Sequence, residues 1–181
     1  MTVRFKLGDY NKHLWTREKA REIRRDLVAI LSRAKAGETV ILDLKGVEVF
    51  DFSFANEFFG KTVFSLPVEF PDRYVIVENL TSDTRENLVH ALEGMKLAMI
   101  VRKGSQLELI GKVHQSDIQT FDAIRRSRTP CTAMDLASRL GTNLTTMNER
   151  LNKLTALALV RRMTTVSAAG RTQYEYVVPQ R

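Results

Sequence analysis

Five short apolar runs rich in β-branched residues punctuate residues 1–113, and stretches with helical spacing separate most of them. This alternation constrains the fold more than any other feature. Strands joined through helices return to one sheet by crossovers, so the sheet is largely parallel or mixed, with helices packed on it. Val3–Leu7 alternates apolar with basic residues, as a strand with one buried face does. "TVILDL" (Thr39–Leu44), "RYVIVENL" (Arg73–Leu80), "LAMIVRK" (Leu97–Lys103) and "QLELIGKV" (Gln106–Val113) supply the other strands, the last two joined at Gly104-Ser105. Thr16 is expected to cap a helix running to about Lys35, with Ala20, Ile23, Leu27, Ile30, Leu31 and Ala34 on its inner face. Its outer face mixes Arg17, Lys19, Arg21, Arg24 and Arg25 with Glu18, Glu22 and Asp26, the pattern of a solvated amphipathic helix. Further helices are expected over Ser53–Leu66, followed by Pro67 and Pro71 in a loop, and over Asp83–Glu93, ended by Gly94.

The stretch "VILDLKGVEVFDFSFANEFFG" holds the most informative junction in this half. Its strand, its Asp-x-x-Gly-Val turn and its Asp-x-Ser approach to a helix resemble the STAS fold of anti-anti-sigma factors. The Ser-Phe-Ala-Asn-Glu opening more closely resembles a STAS-like family of unknown function. The similarity runs from about Val3 to Val113. In anti-anti-sigma proteins the hydroxyl residue matching Ser53 is phosphorylated by a partner kinase, so the resemblance makes Ser53 a candidate phosphorylation or partner site. A helix N-terminus accommodates the added charge, which can repel a docked partner. The residues themselves also allow a plainer role: a helix cap, with the Ser53 hydroxyl accepting from the backbone of Ala55 or Asn56. Phe52 and Phe54 stand where those proteins carry small or polar neighbours.

From Ser116 onward the pattern changes. Ser116–Arg126 reads as a helix with Ile118, Phe121 and Ile124 inward. Thr132 caps a short helix, "AMDLASRL", with Asp135 placed for a capping box; Gly141 makes a turn and Asn143 caps "LTTMNERLNKLTALAL". "LVRRMTTV" and "TQYEYVV", separated by Ser167–Arg171, form a hairpin. The order of helix, short helix, turn, helix and hairpin is that of a winged helix-turn-helix. "LASRLGTNLTTMNERLNKLTALALVRR" resembles the winged-helix domains of bacterial transcription regulators, over about Ser116–Pro179.

Charge divides the chain at the same place. The net charge is +7, yet residues 1–111 hold 17 Lys and Arg against 16 Asp and Glu, and residues 112–181 hold 11 against 5. The excess lies where a nucleic-acid surface would need it. On the presumed recognition helix Leu144, Met147, Leu151 and Leu154 form the core side, and Thr145, Asn148, Glu149 and Asn152 another. Asn can read adenine through paired hydrogen bonds, Thr can touch a thymine methyl, and Glu can accept from cytosine N4. Arg150 and Lys153 suit phosphates, as do Arg161, Arg162 and Arg171 around the wing and Arg125, Arg126 and Arg128 at the end of the preceding helix.

Other classes find little support. Asp43, Asp51 and Glu57 are isolated carboxylates; His13 and His90 adjoin no nucleophile motif; Gly46 and Gly60 make no phosphate loop; no Cys/His spacing suits zinc. Cys131, the single cysteine, is expected to be buried and inert. No apolar run spans a bilayer, and "MTVRFKLGDYNKHLW" lacks the apolar core of a signal peptide, so a cytoplasmic protein without membrane contact is expected. The expectation is therefore an α/β STAS-like domain with a mixed sheet over residues 1–113, and a winged helix-turn-helix domain over residues 114–181. Together they would make a non-enzymatic, cofactor-free transcription regulator that binds duplex DNA. The first domain would receive a signal or bind a protein partner, a kinase or a regulator, and a homodimer would match a palindromic site. The alternative is an anti-anti-sigma-type partner-switching protein regulated by phosphorylation, its winged helix used for protein contacts.

Overall fold

The computed structural model describes residues 2–167 and 169–179; of the expected hairpin loop, Ala168 lies outside them. The chain divides into two compact units, Met1–Val113 and His114–Arg181.

The first unit contains, in order, β1 (Thr2–Lys6), β2 (His13–Leu14), α1 (Arg17–Arg33), β3 (Thr39–Asp43) and β4 (Val49–Phe50). There follow α2 (Phe52–Ala55), a π-helical turn (Asn56–Gly60), α3 (Lys61–Glu69), β5 (Tyr74–Glu78), α4 (Ser82–Gly94), β6 (Ala98–Lys103) and β7 (Gln106–Gly111). Its main sheet has the order β1-β3-β5-β6-β7; the first four strands are parallel and β7 is antiparallel to β6. The crossovers all advance in one direction, so right-handed connections put α1, α3 and α4 on the same face. Every residue of β3 and β5 is buried, which is why their sequences are nearly continuous apolar runs. The pairing of β2 with β4 was not legible, because two residues carry no periodicity.

The segment expected as a helix over Ser53–Leu66 is helical from Phe52 to Glu69, with the π turn in its middle and Pro67 inside its last turn rather than in the following loop. Pro67 has no N–H to donate into the helix, and Phe70 N–H closes the helix on the Leu66 carbonyl. The widened turn lets the consecutive Phe58 and Phe59 both face inward, packed edge to face at 4.8 Å. Phe50 and Phe54 complete this cluster, and Phe5 of β1 stacks on Phe58. At Gly8 the backbone runs against the β3–β4 loop: an added Cβ would stand 2.2 Å from the Lys45 carbonyl oxygen. Gly94 does not lie beyond α4 but is its last residue, and Lys96 takes the left-handed conformation that follows.

The second unit contains α5 (Gln115–Arg126), β8 (Cys131–Thr132), α6 (Ala133–Arg139), α7 (Leu144–Ala156), β9 (Arg161–Val166) and β10 (Thr172–Val177). Its sheet has the order β8-β10-β9, antiparallel throughout. Thr132 and Asp135 form a reciprocal capping box, and Asn143 accepts from Thr146 N–H at 2.8 Å. The strand β8, two residues long, had no sequence signal. Phe121, Ile124, Leu136, Met147, Leu151 and Leu154 are buried. Leu144, expected on the core side, is 45% exposed, because it is the first residue of α7 and precedes the turn that carries the buried stripe.

Candidate functional site

Ser53 sits in the first turn of α2, but it is not the cap. Asp51 is: its Oδ1 accepts from Phe54 N–H at 2.6 Å, while its Oδ2 accepts from Thr16 N–H at 3.4 Å. The cap expected at Ser53 is thereby corrected. A carboxylate two residues earlier already accepts from the Phe54 N–H of the first turn, and it does so more strongly than a hydroxyl would. Ser53 is half-buried, and its hydroxyl makes no hydrogen bond among the described residues. Around it Phe52 is exposed and lies 5.1 Å from the His90 ring, Trp15 is also exposed, and Asn87 Nδ2 donates to the Phe50 carbonyl at 3.0 Å.

The carboxylates that raise an enzymatic alternative each hold the architecture. Asp43 accepts from Arg4 (2.8 Å), Asn79 (2.6 Å) and Lys45 N–H (2.9 Å). Burial pushes this carboxyl up, but those three donors outweigh it and hold it below the ordinary range. Arg4 of β1 also reaches Glu78, which accepts from Arg102, so a chain of contacts of alternating charge, Asp43–Arg4–Glu78–Arg102, links β1, β3, β5 and β6. Glu57, buried in the π turn, accepts from Arg21 and Lys61, both at 3.0 Å. Burial raises it, and the two cations lower it further than burial raises it. His13 contacts Glu48 at 3.1 Å. Among the described residues no three His, Cys, Asp or Glu side chains gather as a metal site, and no helix is long and apolar enough to cross a membrane.

In the second unit α7 has two faces. Met147, Leu151 and Leu154 are fully buried, and Thr145, Asn148, Glu149 and Asn152 are all exposed. Arg150 is half-buried. Lys153, expected to suit a phosphate, instead donates to the buried carboxylate of Asp117 on α5 at 2.5 Å. No local pattern marks this pair, because the two residues are far apart in the chain. On the hairpin, Arg161 is half-buried, whereas Arg162 and Arg171 are exposed. The Arg162 guanidinium lies 4.7 Å over the Tyr174 ring, which restrains its direction. Burial raises the Tyr176 hydroxyl above its ordinary pKa, opposed by the charge of Arg162. Ser167 and Arg171 close the hairpin end: Ser167 N–H donates to the Arg171 carbonyl at 2.8 Å, and Arg171 N–H to Ser167 Oγ at 3.1 Å. Arg125 pairs with Asp122 at 3.0 Å, and Arg126 and Arg128 are exposed. Cys131 is fully buried, its Sγ 3.6 Å from the Thr129 carbonyl and 3.8 Å from Arg139.

The match to known families falls on the first unit. Residues 19–85, from early in α1 to the first turns of α4, match the family described as a STAS-like domain of unknown function. A STAS-like domain is present. The mixed sheet with helices on it fits such a domain, and the Asp51-capped start of α2 and the π turn both lie within the matched span. No curated protein matches the chain.

Proposed function

We propose that the chain is a DNA-binding transcription regulator in which the second unit works as a winged helix-turn-helix domain and the STAS-like domain binds a signal or a protein partner. The observation that carries this reading is the division of α7: one stripe is wholly buried, while Thr145, Asn148, Glu149 and Asn152 stand in solvent beside a hairpin that presents Arg162 and Arg171. Exposed amide, hydroxyl and carboxylate groups on one helix are the groups that meet base edges in a major groove, and the hairpin arginines meet phosphates. Arg161 and Arg150, both half-buried, are the further phosphate contacts of this reading. Lys153 serves Asp117 first, so its share in phosphate binding is small. The test is fluorescence anisotropy of labelled duplex DNA over a salt series. Replacing Arg161 and Arg162 together by Ala should weaken binding uniformly across sequences and lower the slope of log K against log salt by about 2. Absence of binding at low salt, or an unchanged slope, would remove this reading.

A second reading, phosphorylation-controlled partner switching through the STAS-like domain, draws support from Ser53. Its hydroxyl is partly exposed and carries no capping duty. Asp51 weighs against it, because its carboxylate takes the Phe54 N–H that would help to stabilise a phosphate and repels one beside it. Replacing Ser53 by Asp should change partner binding if this reading holds.

A further inference from the structure

The outer edges of α1 and α3 flank a groove of about 510 Å³ whose walls include Arg21, Arg24, Arg25, Lys61, Glu57 and Glu69. Two of its cations are spoken for: Arg21 and Lys61 neutralise Glu57. Arg24 is different. Its Nη2 donates to Ser65 Oγ at 2.9 Å and to the Lys61 carbonyl at 3.4 Å, so the guanidinium is held by neutral acceptors. Its Nε is buried without a hydrogen-bond partner, and no carboxylate pairs with it among the described residues. A buried donor on a fixed, uncompensated cation is costly unless an acceptor arrives. Arg25, one residue on, is exposed and enters no ion pair among the described residues.

Two exposed apolar side chains lie on α3 between the groove residues Lys61 and Glu69: Phe64 and Val68 are 69% and 84% exposed. Exposed large apolar side chains beside immobilised arginines form a surface of mixed chemistry. Glu69 adds a negative charge to one wall, which disfavours a uniform polyanion such as nucleic acid or an anionic lipid surface. A protein segment can match all three features at once.

We propose that this groove docks an acidic segment of a protein partner, with carboxylates on Arg24 and Arg25 and an apolar side chain against Phe64 and Val68. The inference rests on the partner-binding role given above to the STAS-like domain, and it places that role on α1 and α3.

The probe is a fluorescein-labelled peptide repeating Glu-Leu-Glu-Glu-Leu, titrated with the full chain at low ionic strength. Saturable binding is expected, about tenfold weaker when Arg24 and Arg25 are both replaced by Ala and about threefold weaker in Phe64→Ala. The peptide with Gln in place of Glu should not bind, and removing an equal charge elsewhere by Lys12→Ala with Lys45→Ala should leave affinity unchanged. Arg25→Glu, a change at an exposed position, keeps the test open should the Arg24 variant fail to fold. The proposal is overturned if Arg25→Glu binds as the parent does or if the Lys12/Lys45 control loses as much affinity as the Arg24/Arg25 variant. It is also overturned if phosphatidylglycerol vesicles, and not the peptide, bind in an Arg24-dependent manner. The same variants assayed on duplex DNA separate the two hypotheses: peptide binding lost with DNA binding intact locates the groove apart from the DNA surface, and no DNA binding by the parent chain would remove the regulator reading while leaving the groove standing.

Discussion

The two units use arginine differently. In the first unit four arginines serve the unit's own carboxylates: Arg4 bridges Asp43 and Glu78, Arg102 meets Glu78, Arg21 meets Glu57 and Arg85 meets Glu108, while Arg17, Arg24, Arg25, Arg33 and Arg73 enter no ion pair among the described residues. In the second unit Arg125 pairs with Asp122, whereas Arg126, Arg128, Arg150, Arg162 and Arg171 enter no ion pair among the described residues. A cation paired across a sheet fixes structure and contributes little field outside. A cation left uncompensated contributes field and little stability. Arginine therefore marks architecture at four positions of the first unit and an outward-facing surface at most positions of the second, and Arg24 differs from the other unpaired arginines of the first unit in that its guanidinium is held by a serine hydroxyl while its Nε is buried.

This contrast can be broken experimentally. The largest effect is expected in the aromatic cluster: Phe58→Ala should cost about 3–5 kcal/mol, because the ring is fully buried among Phe5, Phe54 and Phe59. Urea unfolding followed by the fluorescence of Trp15, the single tryptophan, reports it. Next is the ion pair of the second unit whose carboxylate is buried. Lys153→Met leaves Asp117 buried and unpaired, and should cost about 1–2 kcal/mol after allowance for the half-exposed lysine. A loss of DNA affinity with unchanged urea midpoint would show instead that Lys153 acts at the surface. Smaller still, Asp51→Ala should cost about 1 kcal/mol and Ser53→Ala less than about 0.5 kcal/mol, since only the former removes a cap. The reverse order would restore Ser53 as the cap.

The smallest effect is one of pH. The Glu57 and Asp43 carboxyls are held below their ordinary values in the folded domain. Their contribution is complete above the unfolded carboxylate range, about pH 4–4.5, and is lost as pH falls through the lower folded values. The urea midpoint of the parent chain should therefore drop on acidification. In Glu57→Gln the drop should be shallower, and a drop of equal depth would mean that Glu57 contributes none of it.

Much of this was written in the chain's local patterns. The parallel strands β3 and β5 declared themselves as continuous apolar runs because both of their faces are buried. The caps at Thr16, Thr132 and Asn143 were legible because capping acts between residues three or fewer apart. The exposed face of α7 followed from helical periodicity alone, apart from Leu144 at the first turn. What local pattern could not carry is anything that depends on distant partners or on two-residue elements. The strands β2, β4 and β8 were too short to show a period. The choice of Asp51 over Ser53 as cap depended on how the chain turns into α2, where Asp51 also receives Thr16 N–H. The Asp117–Lys153 pair, the Arg4–Glu78–Arg102 contacts and the seating of Arg24 on Ser65 exist only once helices and strands far apart in sequence are packed together. Sequence by itself determined which segments become helix or strand and where the basic charge is concentrated, because periodicity and composition are properties of neighbours. Tertiary structure alone decided which charges are neutralised and which face outward, because Coulomb interactions and burial act through space and take no account of sequence separation.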